Sequence, residues 1–243
     1  MKARLDESFT VEVVNGGFTG DNIEEATKRS SDYFSVEPDA VTIYLGWNRT
    51  LQRADPKKNN YLYHKLSLYK IYYHFLVNRK GTGLQVDFPE KTYYSPDEKE
   101  IRRYKAWSFK HDIKDLDKLI TGIQKKNKKI RVVLITIAGL FDLSIKPDEH
   151  ALEIGHPTAS SNNLFAFAVL TRNWNKALRE YAVVKDIPII DFEAAALHLF
   201  PKRSDYFTDS IHLTTEGYRI MGKYFTQELI KILGFEEIKN QAN

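Results

Sequence analysis

Cysteine is absent from the 243 residues, which excludes disulfides, thiolate zinc sites and a thiol nucleophile and leaves the redox compartment open. No apolar run reaches the roughly 20 residues that a membrane-crossing helix needs, and the first residues lack the pattern of a secretion signal. An excess of one charge is missing too: 36 Lys and Arg stand against 32 Asp and Glu, a net +4. Lys125, Lys126, Lys128 and Lys129 gather part of that charge at the end of an expected helix, where cations complement the dipole. No stripe of interleaved aromatics accompanies them, so no nucleic-acid partner is expected. Internal repeats and low-complexity tracts are also lacking, and the length suits one α/β domain with a substantial core.

What is present is an alternation of apolar strands and amphipathic helices. Val11-Glu12-Val13-Val14 reads as a short strand running into the turn Asn15-Gly16-Gly17-Phe18-Thr19-Gly20. Asp21 or Asn22 then caps a polar helix reaching about Ser31. Ala40 to Leu45 is a β-branched run of the kind buried in parallel sheets, followed by Gly46-Trp47-Asn48. A helix face formed by Ile113, Leu116, Leu119, Ile120 and Ile123 precedes a strand over Arg131 to Ile137 that ends at Ala138-Gly139. Leu164 to Val184 reads as a long helix, Ile187 to Asp191 as a strand, and Thr214 to Leu233 as a terminal helix stopped by Gly234. Lys239 to Asn243 are expected to fray. Such alternation implies a parallel sheet with helices on both faces.

Residues from about 50 to 110 form a helical insertion in this pattern. Leu62, Leu66, Tyr69, Tyr73 and Leu76 mark a helical stripe, and Ser95-Pro96-Asp97-Glu98 a capping-box start for a charged helix reaching Lys105. Its aromatic density suits a lid or a membrane-facing cap as well as a helix packed on the sheet.

Asp209-Ser210-Ile211-His212 carries the chemistry. A carboxylate three residues before a histidine, at the mouth of a helix, can orient and polarise an imidazole for general-base work. In an open α/β sheet functional groups gather at the carboxyl ends of the strands. Gly20 follows the first strand, Asn48 the second, and Asp209 and His212 the last. A backbone N–H, a side-chain amide and a His–Asp pair would then meet at one rim, as acyl transfer requires.

These segments resemble the SGNH (GDSL-type) hydrolases, a family of esterases, lipases, thioesterases and carbohydrate deacetylases. Asn15 and Gly20 match the family's second block, Gly46-Trp47-Asn48 its third, and Asp209 with His212, followed by Leu-Thr-Thr-Glu-Gly, its fifth. The resemblance runs from about Val11 to Phe225. It implies a three-layer, flavodoxin-like α/β fold with a parallel sheet, His212 and Asp209 as catalytic residues, and Gly20 and Asn48 as the oxyanion hole. It implies no cofactor, and a small-molecule or lipid ester as substrate.

Two departures matter. Arg49 stands where an aspartate often follows the third-block asparagine, and the Gly-Asp-Ser block that carries the nucleophile is absent. A strand, loop and helix ahead of Val11 would need roughly 25 to 30 residues, and ten are present. Ser8, in Asp6-Glu7-Ser8-Phe9-Thr10, echoes the block but is expected to have no strand before it. The expectation is one domain over 1–243 that begins late, through a misassigned start, a truncated gene or a shortened chain. It lacks the first, central strand and, by itself, turnover. The sheet should then be weakened, or Val11–Val14 should pair directly with Val41–Tyr44. A late start leaves localisation, an anchor or membrane contact, and oligomeric state open. A non-catalytic binding protein on the same fold, or an acyltransferase using the same site, remain alternatives.

Other polar residues point to no second site. His150 and His156, with Asp148, Glu149 and Glu153 nearby, fit no compact metal-ligand spacing and are expected in a Pro-rich loop. His64, His74, His111 and His198 fall in helical or surface contexts. The sequon Asn48-Arg49-Thr50 conflicts with a buried site asparagine. Trp47 is expected beside the acyl pocket or under the loop.

Overall fold

The computed structural model describes residues 2–6, 9–17, 22–48, 92–96, 98–105, 109–156 and 162–234. Gly20, Ser8, Arg49, the Leu62–Leu76 stripe and the last residues lie outside the described residues. In chain order the elements are β1 (Lys2–Asp6), β2 (Phe9–Glu12), α1 (Ile23–Lys28), α2 (Ser30–Tyr33) and β3 (Ala40–Ile43). There follow α3 (Glu98–Lys105), α4 (Lys110–Lys126), β4 (Arg131–Ile135), α5 (Glu149–Ile154), α6 (Phe165–Lys185), β5 (Ile189–Ile190), α7 (Phe192–Leu199) and α8 (Thr215–Ile232).

β3, β4 and β5 form a parallel sheet in that order, Ala40 opposite Arg131 and Leu134 opposite Ile189. Alternation along β4 divides the core. Val132 and Leu134 face a cluster with Ile23, Leu116, Ile120, Trp174 and Leu178, contributed by α1, α4 and α6. Val133 and Ile135 face Ile190, Phe192, Phe200 and the apolar side of α8. Helices on both faces of a parallel sheet make this a three-layer α/β fold. A strand residue that is buried from either side explains the unbroken apolar run of β4.

The N-terminal expectation is corrected here. Val11–Val14 neither joins the parallel sheet nor pairs with Val41–Tyr44. The strand instead spans Phe9–Glu12 and pairs antiparallel with β1, Lys2 opposite Glu12 and Ala3 opposite Val11. Val13 and Val14 are left exposed. The expectation that no strand precedes Ser8 is overturned by β1. Two intervening residues let β1 and β2 close at little entropic cost, whereas pairing with β3 would require closure across the α1–α2 segment. Among the described residues β3 has a strand partner on one side only, as expected for a sheet lacking its central strand.

The helices begin and end for legible reasons. Asn22 caps α1 by accepting from Glu25 N, and Asp186, in the left-handed region at φ 51°, ends α6. Two helices were not expected, α5 and α7. Asp148 caps α5, accepting from Ala151 N, and Asp191 caps α7, accepting from Ala194 N. The supposed Pro-rich loop around His150 is therefore helical. Asn175, fully buried on α6, ties that helix to the end of β4: it accepts from Ile137 N at 2.9 Å and donates to Ile137 O at 2.7 Å.

Candidate active site

The candidate site lies beyond the carboxyl ends of β3 and β4. At β3 the chain leaves through Tyr44, Leu45 and Gly46. Gly46 has φ +149°, and a Cβ there would lie 2.4 to 2.9 Å from atoms of the buried Trp174 indole. Both the backbone angle and the ring beneath it require glycine. This close approach sets the direction of Trp47 and Asn48, both half-buried in a short helical turn. Trp47 hydrogen-bonds the Tyr44 hydroxyl, which Ala138 N also reaches; burial nevertheless pushes the Tyr44 pKa up to about 12.

At β4 the corresponding position is Gly139. A Cβ on it would meet the Trp47 ring at 2.7 Å and Ser210 O at 2.9 Å. The third-block segment and the Asp209–His212 turn thus both pack on one glycine. Leu140 N donates to Ser210 O at 3.0 Å, joining the turn to the strand exit. The buried Arg203 adds a hydrogen bond from Nη1 to Gly139 O, and burial draws its guanidinium below the ordinary arginine range.

The turn itself is built locally. An antiparallel bridge between Phe207 and Leu213 closes it, Thr208 N donates to His212 O at 2.8 Å, and Thr214 caps α8 by accepting from Gly217 N. Inside it, Asp209 Oδ1 accepts from Ile211 N and His212 N, each at 2.8 Å, and Oδ2 lies 2.7 Å from His212 Nδ1. Burial alone would raise the Asp209 pKa, but the N–H of Ile211, the His212 ring and the N–H of His212 hold it below the usual carboxylate value. With Asp209 ionised, Nδ1 carries the proton of the neutral ring and Nε2 is left as the basic nitrogen. The His212 side chain is 61% exposed, so that nitrogen can be reached.

Of the residues expected from the sequence, His212 and Asp209 are paired, Asn48 stands on the segment that meets their turn at Gly139, and Gly20 is outside the described residues. His156 was missed. Its Nε2 lies 3.7 Å from Asp209 Oδ1, although 53 residues separate them in the chain. Neither its spacing nor its neighbours in sequence signal this proximity. Among the described residues no group of three or more His, Asp or Glu side chains is placed to hold a metal ion, and no helix is long and apolar enough to cross a membrane.

Comparison with known proteins gives a family. A search of curated proteins finds no significant match. Among solved structures, a GDSL-like lipase from Bacteroides thetaiotaomicron VPI-5482 is similar at 16% identity and TM-score 0.46, over 89% of this chain and 74% of that one. An acetyl xylan esterase is similar at 18% identity and TM-score 0.47, over 88% and 79%. The model of the GDSL-like Lipase/Acylhydrolase family matches residues 1–220. With its sequence matched over that span, the chain belongs to the GDSL-like lipase/acylhydrolase family of ester hydrolases.

Proposed function

We propose that this protein is an SGNH-type esterase or acylhydrolase in which His212 is the general base, Asp209 its orienting carboxylate, and Gly20 N–H and Asn48 Nδ2–H the oxyanion donors. A serine Oγ, supplied by a Gly-Asp-Ser segment outside these 243 residues, attacks the acyl carbonyl. His212 Nε2 takes the hydroxyl proton, and the negative charge that Asp209 keeps stabilises the imidazolium. The tetrahedral oxyanion rests on Gly20, Asn48 and the serine's own N–H, where each donor is worth about 10²–10³ in rate. On collapse His212 returns the proton to the departing alcohol, and water then releases the acyl group by the same steps. The whole chain acts as one domain, its substrate is a small-molecule or lipid ester, and the 243 residues alone do not turn over.

The observation that carries this reading is the 2.7 Å Asp209–His212 contact on a turn whose Ser210 shares Gly139 with Trp47, the neighbour of Asn48. The experiment is fluorophosphonate labelling, with hydrolysis of a p-nitrophenyl ester in parallel. The 243-residue chain should remain unlabelled. The chain extended by in-frame upstream codons encoding a strand and Gly-Asp-Ser should label at that serine and lose labelling with His212→Ala. Labelling of the shorter chain at Ser8 would overturn the assignment of the nucleophile. An extended chain that neither labels nor hydrolyses would turn the reading towards a non-catalytic binding protein.

A further inference from the structure

One peptide unit at the exit of β4, between Gly139 and Leu140, is held from both sides by the loop that carries the Asp209–His212 turn. Its N–H, that of Leu140, donates to Ser210 O at 3.0 Å, and its carbonyl, that of Gly139, accepts from Arg203 Nη1. Arg203 also opens that loop with its backbone. Arg203 O accepts from Tyr206 N at 2.9 Å and from Phe207 N at 3.1 Å, and Phe207 bridges Leu213 on the far side of the turn. The hydrogen bonds thus close a circuit from Arg203 through the loop to Ser210, across the peptide, and back to the guanidinium.

A guanidinium is a costly choice here if packing were its only task. Arg203 is 4% exposed, its Nη2 lies 3.7 Å from Asp142 Oδ2, and Nε and Nη2 have no hydrogen-bond partner among the described residues. A buried charge so sparsely paired contributes little stability, and an apolar side chain of similar volume commonly serves as well. What the guanidinium supplies is direction. Asp142 is itself fixed, its Oδ1 accepting from Ser144 N at 2.7 Å and lying 3.5 Å from Arg172 Nη2. Arg172 lies against Glu193, which with Asp191 also holds Arg179. This row of alternating charges runs from the end of β5 to Arg203, whose free end then points at the Gly139 carbonyl.

We propose that Arg203 is a positioning residue of this site: by fixing the Gly139–Leu140 peptide it sets the separation between the Gly46–Asn48 segment and the Asp209–His212 turn. The two segments meet at Gly139, where the Trp47 ring and Ser210 O stand 2.7 and 2.9 Å from the place a Cβ would take. Without the bond from Nη1 that peptide can turn about its flanking torsions. The segments then lose their common seat while each keeps its internal contacts. The inference rests on the reading of Asn48 and His212 as oxyanion donor and base, but its first measurement requires no turnover.

The test is residue-resolved amide hydrogen exchange on the full 243-residue chain. It compares the wild type with Arg203→Met, which keeps an unbranched side chain without donors, and with Arg203→Lys. Leu134 and Thr136, whose N–H groups donate to Pro188 O and Ile190 O within the sheet, report global opening. In Arg203→Met the Leu140 amide should exchange about ten-fold faster relative to those two, the loss expected for one charge-assisted hydrogen bond. Arg203→Lys, with a single ammonium in place of a fork, should show a smaller rise of the same ratio. A purely structural role would accelerate all three amides by one common factor. That result, or no change, in a folded variant would overturn the proposal. Should Arg203→Met fail to fold, the ratio in Arg203→Lys decides alone. In the extended chain Arg203→Met should also slow fluorophosphonate labelling by about ten-fold or more, as misplaced reacting groups do; an unaltered rate would overturn the positioning role. An extended wild type that never labels counts against the proposed function alone, and the exchange ratio still decides this inference.

Discussion

The Asp209–His212 turn and the Gly46–Asn48 segment lie against the same glycine but are held by different means. Within four residues the turn supplies its carboxylate, its imidazole and the two backbone N–H groups that fix the carboxylate. The Gly46–Asn48 segment depends on distant parts of the chain: Trp174 of α6 beneath Gly46, Ala138 at the Tyr44 hydroxyl, and Gly139 under the Trp47 ring. A hydrogen-bonded Asp–His pair can thus be written into local sequence, whereas the Gly46–Asn48 segment is carried into place by parts of the chain far from it.

The difference can be broken from the long-range side first. Trp174→Ala should cost about 3–5 kcal/mol, the range for deleting a fully buried aromatic, as a drop in the urea midpoint. It should also shift the Asn48 side-chain amide signals strongly while leaving the His212 ring signals close to wild type. Equal disturbance of both would mean that the turn is not locally built.

A smaller insertion acts on the shared point. Gly139→Ala should destabilise by about 1–3 kcal/mol through overpacking against Trp47 and Ser210 O. Unlike Trp174→Ala, it should perturb both segments together. Amide spectra in which one segment alone moves would separate what the structure joins.

The mildest change sharpens the local side. Asp209→Asn should cost on the order of 1 kcal/mol near neutral pH, the range for a charge-assisted hydrogen bond partly replaced. Because the folded carboxyl lies below its ordinary value, its contribution is full above the unfolded value near about 3.9 and is lost as pH falls through the folded one. Urea midpoints measured from pH 6 down to pH 2.5 should therefore fall less steeply in Asp209→Asn than in the wild type. Asp191, held low by Arg179 against the opposing effect of burial, should keep its own acid sensitivity in both. Identical slopes would show that Asp209 is not held low by its turn.

Much of the fold was legible because periodicity reports burial directly. The helical stripe from Ile113 to Ile123, the long helix begun at Leu164 and the terminal helix lie within a residue or a few of α4, α6 and α8. Asn22, Gly46 and Gly234 likewise stand where cap and turn chemistry put them. The strand reading of Val11–Val14 failed on pairing, since an apolar alternation marks a strand but names no partner. The helices α5 and α7 escape periodicity because, at six and eight residues, neither is long enough for an apolar stripe to repeat.

His156 marks the limit of that legibility. The histidine was visible, but its meaning came from Ser210 clamping its backbone and Gly155 clearing its path, two contacts between segments 54 and fewer residues apart. The sequence by itself determined the long helices, the parallel-sheet class and the Asp209–His212 pair, because the periodicity and spacing that mark each lie in neighbours along the chain. Only the tertiary structure decided that the N-terminal strand folds back on β1, that Gly139 joins Trp47 to Ser210, and that a second imidazole reaches Asp209. Those outcomes depend on which surfaces meet once the chain is packed, and that competition is settled between segments rather than within them.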